Sequence, residues 1–148
     1  MSLPGPAAAR RRFVIFAGSF DENIGGVIAL HRLCDLLNRE GHEAFLWPEK
    51  RPAFDAARPL HSAWRLFRHY RRRKNRLYAT WPSFRTPIAR QADLRDAIVV
   101  YAEVVEGNPL HAKHVVRWLL HKPGFHTGQS RYGANDRFFF YQKAFDDP

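Results

Sequence analysis

Cysteine is nearly absent from this chain of 148 residues, which contains one cysteine, Cys34, and one methionine. A disulfide within the chain is therefore excluded, and this usage is typical of a reducing compartment such as the cytosol. Cys34 falls on the apolar stripe of a predicted helix. We interpret it as a buried apolar side chain and not as a nucleophile.

Long hydrophobic runs are also missing. The sequence has no stretch of about 18 apolar residues, so it predicts no membrane-spanning helix. Residues 1–12 contain no apolar segment and end in three arginines, which excludes a secretory signal and predicts a flexible basic tail. Residues 13–148 have the length of a single domain, and the apolar content of 45% is that of a globular protein and not of a disordered chain.

The known nucleotide and metal motifs are not present. Gly18 and Gly25 are seven positions apart, which matches neither GxGxxG nor the phosphate-binding GxxxxGK[ST]. The histidines at positions 111, 114, 121 and 126 lack the further ligands and spacing of a zinc site, so we predict no metal and no resident cofactor. His126 lies among glycines before a strand and could line a cleft, although a surface loop position is the alternative.

Positive charge is abundant and uneven. The formal net charge is +10, and six of the nine residues from 68 to 76 are arginine or lysine. A basic surface attracts polyanions such as nucleic acid, anionic lipid or phosphorylated substrates.

The first third of the chain has the pattern of a strand–helix–strand unit. An apolar run at 13–17 precedes a polar loop with paired glycines, then a helix from 25 or 26 to about 40, then a second apolar run at 43–47. Gly41 is placed to end the helix in a left-handed conformation. Such a unit requires a right-handed crossover and a parallel sheet.

The remainder continues the alternation. We predict a helix at 60–76, a short helical turn at 91–96, a strand at 97–101, a helix at 110–121 and a last strand at 137–141. Alternating strands and helices predict the α/β class, a Rossmann-like parallel sheet flanked by helices. The expected strand order is 3-2-1-4-5 or part of it.

Two groups of residues are candidates for ligand contact at the carboxyl edge of this sheet, where open α/β folds bind ligands. The first is the glycine loop, with Ser19, Asn23, Gly25 and Gly26, because glycines admit a ligand to the backbone and a helix N-terminus favours anions. A plain tight turn is the alternative. The second is Glu103, which could bind a sugar hydroxyl or act as a base, with Asn108. Their alternatives are a solvated acid and a helix cap.

The second predicted helix carries a basic stripe. Its arginines lie three or four residues apart, and its aromatic residues follow core spacing, so we expect the aromatic side chains to be buried. The stripe is a solvated face, a contact for an anionic membrane surface or, less favoured, a nucleic-acid contact. The arginines of the stripe are Arg65, Arg68, Arg72 and Arg76, and the aromatic residues are Trp64, Phe67 and Tyr70.

Two parts of the sequence, at 23–44 and at 101–124, carry a resemblance to a known family. The pattern Asn-Ile-Gly-Gly at 23–26, the helix at 29–37 and Gly-His-Glu-Ala at 41–44 resemble the start of a GT-B glycosyltransferase of the retaining family-4 kind. The segments Tyr-Ala-Glu-Val-Val-Glu-Gly-Asn-Pro-Leu at 101–110 and Val-Val-Arg-Trp-Leu-Leu at 115–120, with Lys-Pro-Gly at 122–124, are similar to bacterial members. The resemblance covers residues 11–148.

This resemblance implies the acceptor-side domain of a two-domain enzyme that moves a sugar from a nucleotide-sugar donor to a glycan or lipid-linked acceptor. Gly25 and Gly26 would belong to the loop that approaches the donor phosphates, and His126 would be a cleft histidine. The basic helix would dock on an anionic membrane at its cytoplasmic face. A C-terminal donor-binding domain, in cis or trans, would be needed, so this chain alone is expected to be inactive.

Two other classes of function stay open from the sequence. One is a non-enzymatic basic module that binds nucleic acid or an anionic surface. The other is a structural α/β domain that pairs with another chain.

Overall fold

A computed structural model describes residues 9–72, 77–126, 128 and 131–140. Five strands and two helices alternate with loops, which confirms the predicted α/β class. The elements are β1 (Arg12–Ala17), α1 (Gly25–Arg39), β2 (Glu43–Pro48), α2 (Pro59–Arg71), a 3-10 turn (Gln91–Leu94), β3 (Ile98–Ala102), β4 (His114–Leu119) and β5 (Arg137–Phe140).

All described strand pairs are parallel, and the strand order is β2-β1-β3-β4-β5. This differs from the predicted 3-2-1-4-5 because β2 has no full strand on its outer side. An isolated parallel bridge joins Leu46 of β2 to Ile88 there. Residue 88 therefore occupies the position of a third strand with a single pairing, and β3 follows on the other side of β1.

The unit β1-α1-β2 forms as predicted. Gly41 has φ of 87°, so it adopts the left-handed conformation expected after the helix. The amide of Gly41 donates to the carbonyl of Asn38, and the amide of His42 donates to that of Leu37. These two bonds satisfy carbonyls at the end of α1 and turn the chain directly into β2.

The sheet separates two apolar cores. Alternate residues of β3 point to opposite sides, with Val99 in one core and Val100 in the other. On the second side α1 covers the sheet with Leu30 and Cys34. On the first side the sheet is covered by loop residues, among them Ala53 and Leu110, together with the 3-10 turn.

The predicted helix at 110–121 is wrong, because residues 114–119 form β4 and pair with β3 in parallel register. Val115, Arg117 and Leu119 alternate into the interior. Asn108 therefore caps no helix. Its side-chain oxygen accepts from the Ala112 amide at 2.9 Å, and its amide nitrogen donates to the Ala112 carbonyl at 2.8 Å, which closes the turn before β4.

Helix α2 begins at residue 59, one residue before the predicted start, and is described as far as its C-cap residue, Arg72. Arg76 lies outside the described residues. The expectation that the aromatic residues of α2 are buried is wrong, because Trp64, Phe67 and Tyr70 are exposed and Ser62 is the buried residue of the helix.

The N-terminal tail is described from residue 9 onward. Arg10 and Arg12 each form an ion pair with Glu43, at 3.2 and 3.0 Å, and Arg12 already belongs to β1. Tyr141, predicted as the end of the last strand, lies outside the described residues. Among the described helices, none has the length and apolar character needed to cross a membrane.

Candidate functional site

The strand order creates one topological switch point. β1 and β3 are neighbours, but the chain leaves β1 towards β2 on one side and leaves β3 towards β4 on the other. The loops at 18–24 and 103–113 therefore separate at the carboxyl edge of the sheet. In open parallel sheets this is the place where ligands bind.

The first turn of α1 lies at this edge. Ile24, in an extended conformation, precedes the helix, and no side chain caps the first turn. No acidic residue lies in that turn either. The partial positive charge of the helix N-terminus is therefore uncompensated by the helix's own side chains.

Neither paired glycine requires a positive φ, because the described glycines with positive φ lie elsewhere. A Cβ built on Gly25 meets no atom within 4 Å, and one built on Gly26 reaches Leu120 Cδ1 at 3.8 Å, an ordinary contact. The fold therefore does not require glycine at these two positions. Packing therefore does not explain the two glycines, whereas a ligand that approaches the backbone closely would explain them.

The polar residues of the glycine loop hold the loop itself. The Ser19 hydroxyl accepts from the Ala79 amide at 2.8 Å, and the Phe20 amide donates to the Ala79 carbonyl at 2.8 Å. The Asn23 side chain donates to the Asp21 carboxylate at 3.0 Å. Ser19 and Asn23 were both predicted as ligand contacts. Their hydrogen bonds instead hold the loop that leads into α1 at Gly25.

Gly26 and Glu103, which were predicted as separate candidates, both lie next to Leu120. Leu120 directly follows β4, and its amide donates to Glu103 Oε2 at 3.1 Å, while its side chain is the neighbour of Gly26. Glu103 is 7% exposed, so the alternative of a solvated loop acid is wrong. The structure therefore places the glycine turn and a buried carboxylate around the same end of β4.

His126 is not brought to this carboxylate by any described contact. Its exposed ring lies 5.0 Å from the His121 ring and 5.0 Å from the Phe125 ring, both on the loop after β4. Of the described histidines, cysteines and acids, no three are grouped so that they could hold a metal ion.

His31, which was not predicted from the sequence, contacts the glycine loop at Gly18. It is fully buried, and its Nε2 lies 2.9 Å from the Gly18 carbonyl, so Nε2 carries the proton. Burial lowers its pKa, which keeps the imidazole neutral. Its Nδ1 has no hydrogen-bond partner among the described residues. Position 31 lies one helical turn after Val27 on the apolar stripe of α1, and this spacing could have predicted that His31 is buried.

Aromatic rings cover His31 and border the glycine loop. Tyr78 stacks on the imidazole at 6.0 Å and Phe20 meets it edge-on at 5.4 Å. Trp81 and Phe84 extend the group, with centroids 5.2 and 6.4 Å from the Phe20 ring. The segment at 78–86 thereby fixes the loop against α1.

A second surface lies on the outer side of α2. Among described residues an open hollow of about 420 Å³ is lined by α2 alone. The Arg68 guanidinium lies 5.1 Å from the centre of the Trp64 ring, a cation–π contact. We call this surface the outer face of α2; it consists of Leu60, Trp64, Phe67, Arg68, Arg71 and Arg72.

The fold and the edge define an α/β protein with a parallel Rossmann-like sheet and a crevice at its switch point. Comparison of the chain with protein-family models, with curated proteins and with solved structures finds no significant match in any of the three.

Proposed function

We propose that this chain is the acceptor-side domain of a glycosyltransferase that moves a sugar from a nucleotide-sugar donor to a glycan or lipid-linked acceptor. The observation that carries the proposal is the meeting of Gly26 and Glu103 at Leu120, at the carboxyl edge where parallel sheets bind ligands. The resemblance of residues 23–44 and 101–124 to bacterial family-4 enzymes supports the same reading.

In this proposal each group has a defined role. The uncapped first turn of α1 attracts a phosphate of the donor, since its amides and dipole favour an anion. Gly25 and Gly26 leave room for that phosphate beside the backbone. Glu103, oriented by the Leu120 amide, accepts a hydrogen bond from a sugar hydroxyl or removes its proton.

The reaction needs a second, donor-binding domain in cis or trans. We place the enzyme in the cytoplasm, at the inner face of a membrane that carries its acceptor. The present domain then has two functions. It holds the acceptor, and it binds the donor phosphates at the first turn of α1.

The test is a substitution that fills the space at Gly26 without disturbing the fold. In the protein that includes the donor-binding domain, Gly26→Val is expected to lower sugar transfer by about 100-fold, because a displaced substrate loses rate steeply. The matched control is Ala92→Val, an exposed position on the 3-10 turn. Transfer is measured with a panel of labelled nucleotide sugars.

Stability separates a functional loss from a folding loss. A side chain at position 26 has room, and valine has a higher helix propensity than glycine, so the unfolding free energy is expected to stay within about 1 kcal/mol. Unchanged transfer by a folded Gly26→Val protein contradicts the assignment of this loop.

A non-enzymatic binding module for nucleic acid is the second candidate, favoured by the exposure of Trp64 and Phe67 beside arginines. Aromatic rings and guanidinium groups together bind single strands by stacking and charge. Tight RNA binding at about 0.15 M salt, with a steep decline of log affinity against log salt, would support this module.

A further inference from the structure

The outer face of α2 is unusually apolar for a surface exposed to water. Leu60 is 87% exposed, Phe67 63% and Trp64 55%, although these are the largest apolar side chains of the helix's outer side. On its inner side the helix buries Ser62, whose hydroxyl binds both the amide and the carbonyl of Asp55, at 2.9 and 3.1 Å. Leu66 and Tyr70 line an open hollow with residues of the rest of the protein, among them Trp47. The apolar stripe therefore points away from the fold.

The apolar and basic residues form two adjoining stripes. With about 100° of rotation per residue, Leu60, Trp64 and Phe67 fall within an arc of about 60°. On the same count, Arg68, Arg72 and Arg65 follow Trp64 by about 40°, 80° and 100° on one flank of the apolar arc, while Arg71, in the last turn of the helix, falls within the arc between Phe67 and Trp64. An apolar strip flanked by arginine is the pattern of a helix that lies in the plane of a membrane interface.

We propose that the outer face of α2 docks this protein on an anionic lipid bilayer. Leu60, Trp64 and Phe67 enter the boundary between headgroups and acyl chains, and the arginines stay with the lipid phosphates. Long arginine side chains suit this position because their alkyl stems cover apolar surface while the guanidinium groups stay in the polar layer.

The hollow on this face fits a lipid phosphate by its chemistry. Its walls carry the rings of Trp64 and Phe67 and the guanidinium groups of Arg68, Arg71 and Arg72. Planar guanidinium groups bind phosphate through paired hydrogen bonds. Rings and cations that line the same hollow match a phosphate headgroup that continues into acyl chains.

Lipid explains this surface better than nucleic acid does. Base stacking uses aromatic rings in a groove, whereas the most exposed apolar side chain here, Leu60, is aliphatic and cannot stack. The three apolar side chains lie on the convex outer side of one helix. The basic sequence continues through Arg73, Lys74 and Arg76, which adds to the charge available for an anionic surface.

The inference does not depend on the proposed reaction, so the two can fail separately. The chain is mixed with vesicles of phosphatidylcholine alone, or with about 30% phosphatidylglycerol, at about 0.1 M salt, where surface charge is still felt. Co-sedimentation is expected with the anionic vesicles and not with the neutral ones. The vesicle-bound fraction is then measured for two variants and two matched controls.

The variants separate insertion from charge. Trp64→Gln with Phe67→Gln is expected to lower the partition coefficient by at least about tenfold, since two large apolar side chains no longer leave water. Arg68→Gln, Arg71→Gln and Arg72→Gln together are expected to lower it by about 100-fold, or about fivefold for each arginine. Leu36→Gln in α1, and Arg32→Gln with Arg95→Gln and Arg131→Gln, are the exposed controls that leave binding unchanged.

Three results would overturn the proposal. Undiminished vesicle binding by a folded Trp64→Gln, Phe67→Gln protein would show that the apolar stripe does not insert. An equal loss in the Arg32→Gln, Arg95→Gln, Arg131→Gln control would show that total charge alone attracts the protein. Tighter binding to single-stranded RNA than to vesicles, lost in the same double variant, would assign the outer face of α2 to nucleic acid.

Discussion

At the scale of single residues, the largest departure from expectation is Arg117, a fully buried arginine within a strand. Its Nε donates to Asp136 Oδ2 at 2.7 Å, and its terminal nitrogens donate to the carbonyls of Val105 and Gly107. One side chain thus joins β4 to the loops on both sides of it. A buried ion pair that is fully hydrogen-bonded is costly to break.

Removing Arg117 should therefore destabilise the fold. Arg117→Ala leaves the Asp136 carboxylate and two carbonyls without their donor, and we expect the unfolding free energy to fall by about 3–5 kcal/mol. Urea denaturation measures this. The control is Arg10→Ala, which removes an exposed ion pair with Glu43 and should cost less than about 1 kcal/mol. Similar small losses for both variants would show that Arg117 is not a structural centre.

The Cys34 thiol should be unreactive in the folded protein. Burial, and then the neighbouring Asp35 carboxylate, raise its pKa to about 12, so almost no thiolate exists near neutral pH. Alkylation by iodoacetamide at about pH 8 should be at least 1000-fold slower, roughly, than that of an exposed thiol. Mass spectrometry follows the reaction, with urea-unfolded protein as the control. Rapid labelling of the folded chain would contradict the burial.

Asp35 should contribute to stability in a pH-dependent way. The Arg85 amide, which donates to it at 2.7 Å, and then the Arg39 ion pair hold its pKa below the ordinary value of 3.8. The carboxylate thus stabilises the fold above about pH 4, and this contribution is lost as the pH falls through the folded pKa. The fall in unfolding free energy between about pH 6 and 3 should be smaller for Asp35→Asn than for the wild type. Glu22→Gln, at an exposed position, should leave the fall unchanged.

Residue roles were predictable from the sequence only where local pattern decides them. Cys34 lies on a helical apolar stripe, and Gly41 follows a helix end, so both predictions are confirmed. The burial of Glu103 depends on the Leu120 amide, 17 residues away in sequence, and on β4 being a strand. Pairings of this kind are set by the tertiary fold and leave no local signal.

At the scale of elements, the sequence predicted the first crossover unit and failed at β4. Val115, Val116, Leu119 and Leu120 satisfy helical spacing, but the same residues suit a strand, and β-branched valines favour one. The buried Arg117 hides the alternation, because an arginine between Val116 and Trp118 normally marks the solvent side. A short apolar run is ambiguous by period alone.

The two helices should differ sharply in what they contribute to stability. Leu30→Ala in α1 removes a buried side chain and should cost about 2–5 kcal/mol. Trp64→Gln with Phe67→Gln in α2 changes exposed side chains, and we expect a change within about 1 kcal/mol. Thermal and urea unfolding compare them. A loss of several kcal/mol for the α2 variant would mean that its aromatic side chains pack in solution after all.

At the scale of the whole molecule, composition and alternation were sufficient to predict a parallel α/β sheet, and the position of its switch point follows from chain order. What they could not predict is how the sheet is covered. Helix α1 packs on one side, whereas the other side is closed by loops around Ala53 and Leu110 and by a 3-10 turn. Loop packing has no period, so the sequence predicted a helix at 110–121, where the chain instead forms the covering loop at Leu110 and then β4 of the sheet.

This uneven cover predicts uneven local stability. Helix α1 packs along the sheet and should open only with global unfolding, whereas α2, in which Ser62 is the buried residue, should open at much lower free energy. Hydrogen exchange followed by mass spectrometry should show amides at 59–71 exchanging at least about 100-fold faster than those at 30–39.

Anionic vesicles should then slow exchange in α2 selectively, because a helix seated in the interface loses its access to water and gains a partner for its apolar stripe. Neutral vesicles serve as the control, and α1 serves as the internal reference. Equal protection of both helices without lipid would show that α2 is held by the fold itself. Protection of α2 that appears only with anionic lipid would support bilayer docking. Docking would then explain the exposed aromatic side chains, the arginines and the loose attachment of this helix together.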